Sequence, residues 1–253
     1  NFPDNVKVKY CSYEDVKKRI ADHFDFPIVI SKPWKLCDFR PAFGEIFREE
    51  LEGYDFWGHC DMDMLFGNIR EFITQDLLEK YDKIGFQGHS TLYKNTPEVN
   101  SRYRTVIEGL LSYKEVFSNG KGYCFDEDGI GNIYKALGID FYHKTNFAHL
   151  VIWTNSFFLG HLPADENYKN KRQVFTWSMG NGLRRHYLYN KEIKVEKYMY
   201  LHTFMRPITY KIGDLSKDEV YVIYPDVIKP LKGKLTYSFI NRHGKCSAVR
   251  CYL

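Results

Sequence analysis

Apolar residues along the first half of the chain recur with periods that switch between helix and strand. Ser12-Tyr13-Glu14-Asp15 has the form of a capping box, and Val16, Ile20 and Phe24 follow at four-residue spacing, which predicts a helix. A short apolar run over 26–30 ends at Ser31-Lys32-Pro33. Phe39, Phe43, Phe47 and Leu51 predict a second helix that Gly53 closes, with Pro41 tolerable only in its first turn. Phe56-Trp57-Gly58-His59-Cys60 reads as a buried strand running straight into Asp61-Met62-Asp63. After Gly67, the spacing of Ile69, Phe72, Ile73 and Leu77 predicts another helix. Ile84-Gly85-Phe86 predicts a strand that ends in Gln87-Gly88-His89. Thr96-Pro97 caps a helix reaching about residue 111, and 126–137 reads as one more, closed by Gly138. Helix and strand in alternation predict an α/β layering over the first 140 residues or so.

Beyond that point the pattern becomes β-rich. Val151-Ile152-Trp153, Gln173-Val174-Phe175-Thr176-Trp177 and Val220-Tyr221-Val222-Ile223-Tyr224 read as strands. No internal repeat, low-complexity tract or Gly/Ser/Pro-rich linker divides the chain. The expectation is therefore one domain over 1–253, α/β over 1–145 and β-rich over 146–253.

Composition narrows the function classes. Of 253 residues, 44% are hydrophobic and 27% charged, enough for a packed core and against long disorder. No apolar run at either end is long enough to span a bilayer, which excludes a membrane-embedded chain. The net charge of +4 is small and dispersed, so no nucleic acid is expected as partner; it suits anionic substrates or an acidic membrane surface. Cys11, Cys37, Cys60, Cys124, Cys246 and Cys251 form no C-x-x-C pair and read as reduced cytosolic thiols. The start, Asn1-Phe2-Pro3-Asp4, lacks an initiating Met and a signal-peptide core, and reads as the start of a fragment.

The sharpest chemical feature is the segment from Tyr54 to Gly67. In extended backbone Asp61 and Asp63 would face one side while Met62 and Met64 face the core. Two carboxylates one pleat apart at the end of an apolar strand call for neutralisation, and oxygen ligands suit Mg²⁺ or Mn²⁺. Such an ion would bridge phosphate oxygens. The plainer alternative is an exposed turn that the aspartates merely solvate. Upstream, Lys35, Asp38 and Arg40 gather at a helix start; Lys35 or Arg40 could pair with a diphosphate and Asp38 with a sugar or ribose hydroxyl, or all three could simply cap a surface helix.

Phe125-Asp126-Glu127-Asp128 is a second acidic cluster. Glu127 or Asp128 could activate an acceptor hydroxyl, although acidic residues favour a helix start in any case. Gly85 and Gly88, beside His89, would let a ligand approach closely. His202 interrupts an apolar stretch. It reads either as a satisfied core histidine or as a third metal ligand, with Arg206 on a phosphate. His59-Cys60 has no second pair at zinc spacing, so a zinc site is not expected.

The strand leading into Asp61-Met62-Asp63, preceded by Lys35, Asp38 and Gly44, resembles the "D-x-x-R-y…G-G-x-Y-x-D-x-D" arrangement of GT-A glycosyltransferases. More narrowly, the chain is similar to a bacterial family found among polysaccharide and lipopolysaccharide biosynthesis proteins. That family shares a "K-L-C-D-F-K/R-P" helix start, a "G-x-x-D-x-D-x-x-x-G" strand end, an "F-D-E" turn and a late "H-x-x-x-R". This sequence offers Lys35-Leu36-Cys37-Asp38-Phe39-Arg40-Pro41, Gly58 through Gly67, Phe125-Asp126-Glu127 and His202 with Arg206 at those places. It departs from the GT-A pattern where Asp55-Phe56-Trp57-Gly58 replaces the paired glycines.

The resemblance implies an α/β, GT-A-like (Rossmann-like) nucleotide-sugar-binding sheet flanked by helices, with a β-rich C-terminal extension. The family's first strand and helix would precede Asn1. It further implies a metal-dependent glycosyltransferase that moves a sugar from a nucleoside diphosphate sugar, a UDP-sugar foremost, to a glycan or lipid-linked acceptor of bacterial surface polysaccharide. Asp63 and His202 would hold Mn²⁺ or Mg²⁺, and Asp61 the metal or the donor ribose. Lys35, Asp38, Arg40, Gly88, His89 and Arg206 would contact substrate, and Glu127 or Asp128 would face the acceptor. The implied location is cytoplasmic, with peripheral contact at the inner membrane. Rival readings are a non-catalytic carbohydrate-binding or structural protein and another metal-dependent phosphoryl-transfer enzyme.

Overall fold

The computed structural model describes residues 2–144, 146–150, 156–162, 172–213, 216 and 218–244. The strand expected at Val151-Ile152-Trp153 lies outside them, as do Cys246 and Cys251. The labelled helices are α1 (Tyr13–Asp22), α2 (Phe43–Ile46), α3 (Gln75–Lys80), α4 (Pro97–Ser101), α5 (Tyr113–Phe117), α6 (Ile130–Ala136) and α7 (Tyr237–His243). The first strands are β1 (Phe56–Cys60), β2 (Met64–Phe66), β3 (Lys83–Ile84), β4 (Ser90–Lys94), β5 (Phe147–Leu150) and β6 (Phe157–Leu159). Then follow β7 (Gln173–Ser178), β8 (Gly182–Tyr189), β9 (Glu192–Tyr198), β10 (Tyr200–His202), β11 (Thr209–Tyr210), β12 (Tyr221–Ile223) and β13 (Val227–Pro230). The architecture is mixed α/β.

The chain divides into two compact units, Asn1–His59 with Glu79–Tyr142, and Cys60–Leu78 with His143–Leu253. The sequence reading put Asp61 and Asp63 in an α/β part ending at 145. The structure gives their segment to the unit built mainly from the C-terminal half.

In the first unit α1 starts at the expected capping box. Ser12 Oγ accepts from the Asp15 N–H, and the Asp15 carboxylate accepts from Ser12 N–H in return. The helix expected through Phe39 and Leu51 is broken into a 3₁₀ segment (Pro33–Ala42), α2 and a further 3₁₀ turn (Arg48–Leu51). Pro41 lies deep inside rather than in a first turn, and its ring and missing N–H prevent a regular α ladder there. Phe39 is buried and Phe43, Phe47 and Leu51 are partly buried against the same core, so the periodicity marks the inward side although the backbone is not one α-helix. Phe39 stacks on Phe117 at 4.2 Å within a core that also holds Ile20, Phe125 and Ile133.

Other lengths differ for local reasons. Thr96 caps α4 by accepting from Val99 N–H, but that helix gives way to a 3₁₀ turn at Arg102–Arg104, well short of 111. The following Thr105-Val106-Ile107 run is β-branched and Gly109 has a positive φ of 81°. The strand expected over 84–86 is Lys83–Ile84, ended by Gly85. The helix expected over 126–137 opens with a π turn (Phe125–Gly129) before α6; Gly138 follows at φ 67° as expected. Strand order in this unit's sheet is β1-β4-β3, with β3 and β4 antiparallel.

The second unit holds two sheets, ordered β2-β10-β5-β6 and β11-β13-β12-β7-β8-β9. The strands expected at Gln173 to Trp177 and around Tyr221 to Ile223 are β7 and β12. The helix expected after Gly67 reduces to a 3₁₀ turn (Ile69–Glu71) and α3, which runs past the unit boundary at residue 78. In the smaller sheet β10 is central, antiparallel to β2 and parallel to β5. This register pairs His202 with Met64 on one side and with His149 on the other. No helix among the described residues is long and apolar enough to cross a membrane.

Candidate metal centre

Gly67 pins the end of β2 against the Tyr198–Met199 backbone. Its N–H donates to Met199 O at 2.8 Å, and a Cβ there would lie 2.4 Å from Tyr198 O. Only glycine lets the end of β2 come this close to the β9–β10 junction. With β2 pinned, the residues just before it lie at the carboxyl end of β10. Thr203 N–H and Thr203 Oγ1 donate to Asp63 O at 2.9 and 2.8 Å. Phe204 and Met205 follow with φ of 47° and 58°, a left-handed turn that aims the Met205 N–H at Asp63 Oδ2.

The other carboxylate oxygen, Asp63 Oδ1, lies 3.4 Å from His202 Nε2, and Asp61 Oδ2 lies 3.6 Å from the same nitrogen. The ligand atoms of Asp61, Asp63 and His202 are all within 4.8 Å of one another. His202 is 4% exposed, whereas the two aspartate side chains are 27% and 28% exposed. A buried imidazole thus backs two carboxylates that reach solvent. The separations are long for hydrogen bonds but suit donors sharing one small cation, whose adjacent ligand atoms stand about 3 Å apart. One nitrogen and two carboxylate oxygens form a donor set that fits a divalent ion.

The expected orientation of the intervening residues is corrected here. Met62 does not face the core but is 98% exposed. β1 ends at Cys60, and Met62 and Asp63 lie in a bend rather than a continuation of the strand, so strand alternation does not apply to 61–63. The aspartates share a side because the bend and Thr203 hold them there. Arg206 follows in the same turn, half-buried, its N–H donating to Thr203 O.

Sequence reasoning missed His149. On β5 beside β10, its Nδ1 lies 3.1 Å from His202 Nδ1. Burial, reinforced by His202, pulls its pKa down to about 4, so the ring is neutral near pH 7. The available signal was a lone imidazole in the apolar run Phe147-Ala148-His149-Leu150; the parallel pairing that gives it meaning has no sequence signature.

The remaining expected residues lie in the first unit. Lys35 and Asp38, expected to face phosphate and sugar, are instead buried at 0% and 2% exposure. Lys35 Nζ donates to Asp38 Oδ2 at 2.8 Å, Val116 O at 2.8 Å and Lys121 O at 2.6 Å. Asp38 also accepts from the N–H groups of Tyr123 and Phe125. All three ammonium protons are engaged, so the pair fixes the 116–125 segment to the 3₁₀ turn and leaves nothing for a ligand.

Arg40, Gly88 and Glu127 do come together, but around Asp126. Arg40 Nη1 donates to Gly88 O at 2.7 Å and to Asp126 Oδ2 at 3.0 Å, and Glu127 Oε1 accepts from Gly88 N–H at 2.7 Å. The space that Gly88 leaves open is filled by Asp126, whose Oδ2 would be 2.3 Å from a Cβ there. Burial raises Asp126 to about 7 against the opposing pull of Arg40. Lys83, 0% exposed, is drawn down to about 7 by burial, opposed by Asp126 and Glu127. His59 falls to about 3 through burial and the nearby cations Arg40 and Lys83. His89 is buried and Asp128 is exposed. Asp126, Lys83 and His59 carry the strong perturbations of this cluster, and none of them was among the expected site residues.

Comparison with the curated proteins and with the solved structures finds no match. A family model, described as a family of unknown function (DUF6625), matches residues 1–232. The match spans most of the chain and both compact units, so the chain belongs to the DUF6625 family.

Proposed function

We propose that this protein is a metal-dependent glycosyltransferase of the GT-A kind, taking a nucleoside diphosphate sugar, with a UDP-sugar as the first to test. The single observation that carries the reading is the convergence of Asp61, Asp63 and His202, whose ligand atoms all lie within 4.8 Å of one another. These three residues would hold Mn²⁺ or Mg²⁺, which supplies charge stabilisation to a departing diphosphate. Asp63 is held from two directions: its carbonyl by Thr203 and one carboxylate oxygen by the Met205 N–H. That fixes Oδ1 toward His202 without help from a ligand, the preorganisation such a site needs. Met62 and Met205, both strongly exposed, present apolar surface beside the aspartates. Apolar surface there suits a lipid-linked acceptor in bacterial surface polysaccharide synthesis, and with it a cytoplasmic protein touching the inner membrane peripherally.

The test is calorimetric titration of UDP, GDP and CMP with and without Mn²⁺, followed by a screen of nucleotide sugars for release of nucleotide. The proposal expects nucleotide binding that requires the metal and disappears in a folded Asp63→Ala variant. Binding of glycan without metal or nucleotide would favour a carbohydrate-binding protein. Metal-dependent cleavage of a phosphoester without sugar transfer would favour the phosphoryl-transfer reading.

A further inference from the structure

We infer that His149 is the positioning residue that turns His202 into a metal ligand, and that it thereby gives the centre a preference for Mn²⁺ over Mg²⁺. The inference rests on the metal-centre reading above.

His202 Nδ1 and His149 Nδ1 face each other at 3.1 Å, and two imidazole nitrogens at that distance need one proton between them. A neutral imidazole carries one N–H and one lone pair. For His202 to offer its Nε2 lone pair toward Asp61 and Asp63, its own proton must sit on Nδ1. The group facing Nδ1 must then accept, and it is the bare Nδ1 of His149, whose own proton is placed on Nε2. The rings meet nearly edge to face, at 61° with centroids 5.2 Å apart, and the parallel pairing of β5 with β10 sets His149 directly beside His202. His149 also packs edge-on against Phe147, at 4.9 Å and 88°, a second contact that orients its ring.

Selectivity follows from the ligand this arrangement secures. Two carboxylates alone would serve Mg²⁺ and Mn²⁺ on similar terms. Mn²⁺, a first-row transition ion, accepts a nitrogen donor beside carboxylates, whereas Mg²⁺ keeps oxygen ligands and gives up its waters reluctantly. Partners that orient a ligating histidine typically contribute 10- to 100-fold in metal affinity.

The experiment compares Mn²⁺ and Mg²⁺ affinities, by Mn²⁺ electron paramagnetic resonance and competition, in the wild-type chain and in His149→Ala, His149→Phe and His149→Asn. Circular dichroism verifies folding, and the phenylalanine and asparagine variants carry the test if the alanine variant does not fold. Loss of the acceptor in His149→Ala or His149→Phe is expected to weaken Mn²⁺ roughly 10- to 100-fold while Mg²⁺ changes little. In His149→Asn the side-chain carbonyl can accept the same proton, and most of the Mn²⁺ affinity is expected to return. Equal losses for both ions would indicate a merely structural role and overturn the inference. So would a folded alanine or phenylalanine variant that keeps wild-type Mn²⁺ affinity, and in that case the metal reading survives. A wild-type chain that binds no Mn²⁺ overturns both.

Discussion

The N–H and the hydroxyl of Thr203 both donate to the carbonyl of Asp63, which ties the residue after β10 to the residue before β2. This double contact holds the aspartate beside His202, and it does so through backbone and a buried side chain rather than through the charged groups themselves. Thr203→Val keeps the shape and the N–H but removes the hydroxyl. The expected cost is about 0.5–1.5 kcal/mol in unfolding free energy, read by urea denaturation. Mn²⁺ affinity is expected to fall several-fold in the same variant, because one of the hydrogen bonds that fix Asp63 is lost. Unchanged metal affinity would show that the N–H alone suffices.

Gly67 makes a sharper prediction. A Cβ at this position meets backbone, Tyr198 O at 2.4 Å and Leu183 N at 3.0 Å, which cannot move aside as a flexible side-chain tip can. Gly67→Ala should therefore push β2 off β10, destabilise the second unit by about 1–3 kcal/mol and weaken Mn²⁺ binding with it. Thermal unfolding together with metal titration reads both effects. Gly53→Ala, where no atom lies within 4 Å but φ is 82°, is the control for backbone strain away from the site.

Lys35 and Asp38 separate a structural from a ligand-binding role. Removing one partner of a buried, fully hydrogen-bonded pair leaves an uncompensated charge, so Lys35→Met should cost about 3–5 kcal/mol. In the folded fraction nucleotide affinity should not change. If Lys35 instead held a donor phosphate, the variant would lose nucleotide affinity while its unfolding midpoint stayed near wild type.

The pH dependence of stability should carry the signatures of His59 and Asp126. The unfolded imidazole takes up a proton near 6.5, whereas the buried one resists until about 3. Between those values the unfolded state binds more protons, so the His59 contribution is complete above 6.5 and is lost as pH falls toward 3. Both ring nitrogens are shut off from solvent, so His59→Phe, which carries no titratable ring, removes this acid sensitivity. Asp126 acts in the opposite direction. Its pKa rises from 3.8 to about 7, so its contribution is complete below 3.8 and is lost as pH rises through 7. Asp126→Asn should flatten that upper limb. Denaturation midpoints measured from pH 3 to 8 distinguish the two, and curves that His59→Phe leaves unaltered below 6.5 would contradict the assignment.

Much of the site was legible in the sequence because carboxylates two apart, after an apolar strand and before a glycine, are an unusual local pattern. His202 stood out as a polar residue in an apolar run, a pattern that left a core histidine and a metal ligand both open. What local pattern could not supply was partnership. The run Phe39, Phe43, Phe47 and Leu51 marks a face that packs inward, yet Pro41 decides the backbone and Phe39 meets Phe117 only through the fold. Lys35 and Asp38 look like surface charges in one dimension; the carbonyls of Val116 and Lys121 that engage Lys35 come from a distant segment. Met62 was misplaced because alternation was extended past the last residue of β1. The parallel pairing of β5 with β10, which brings His149 to His202, joins strands with no local cue connecting them.

Anomalous diffraction at the manganese edge, from crystals grown with Mn²⁺ and UDP, reads the position of the ion itself. The account predicts one strong peak bonded to Asp61, Asp63 and His202 Nε2, with the diphosphate against it. Manganese bound elsewhere, with those three side chains turned away from any ion, would contradict it.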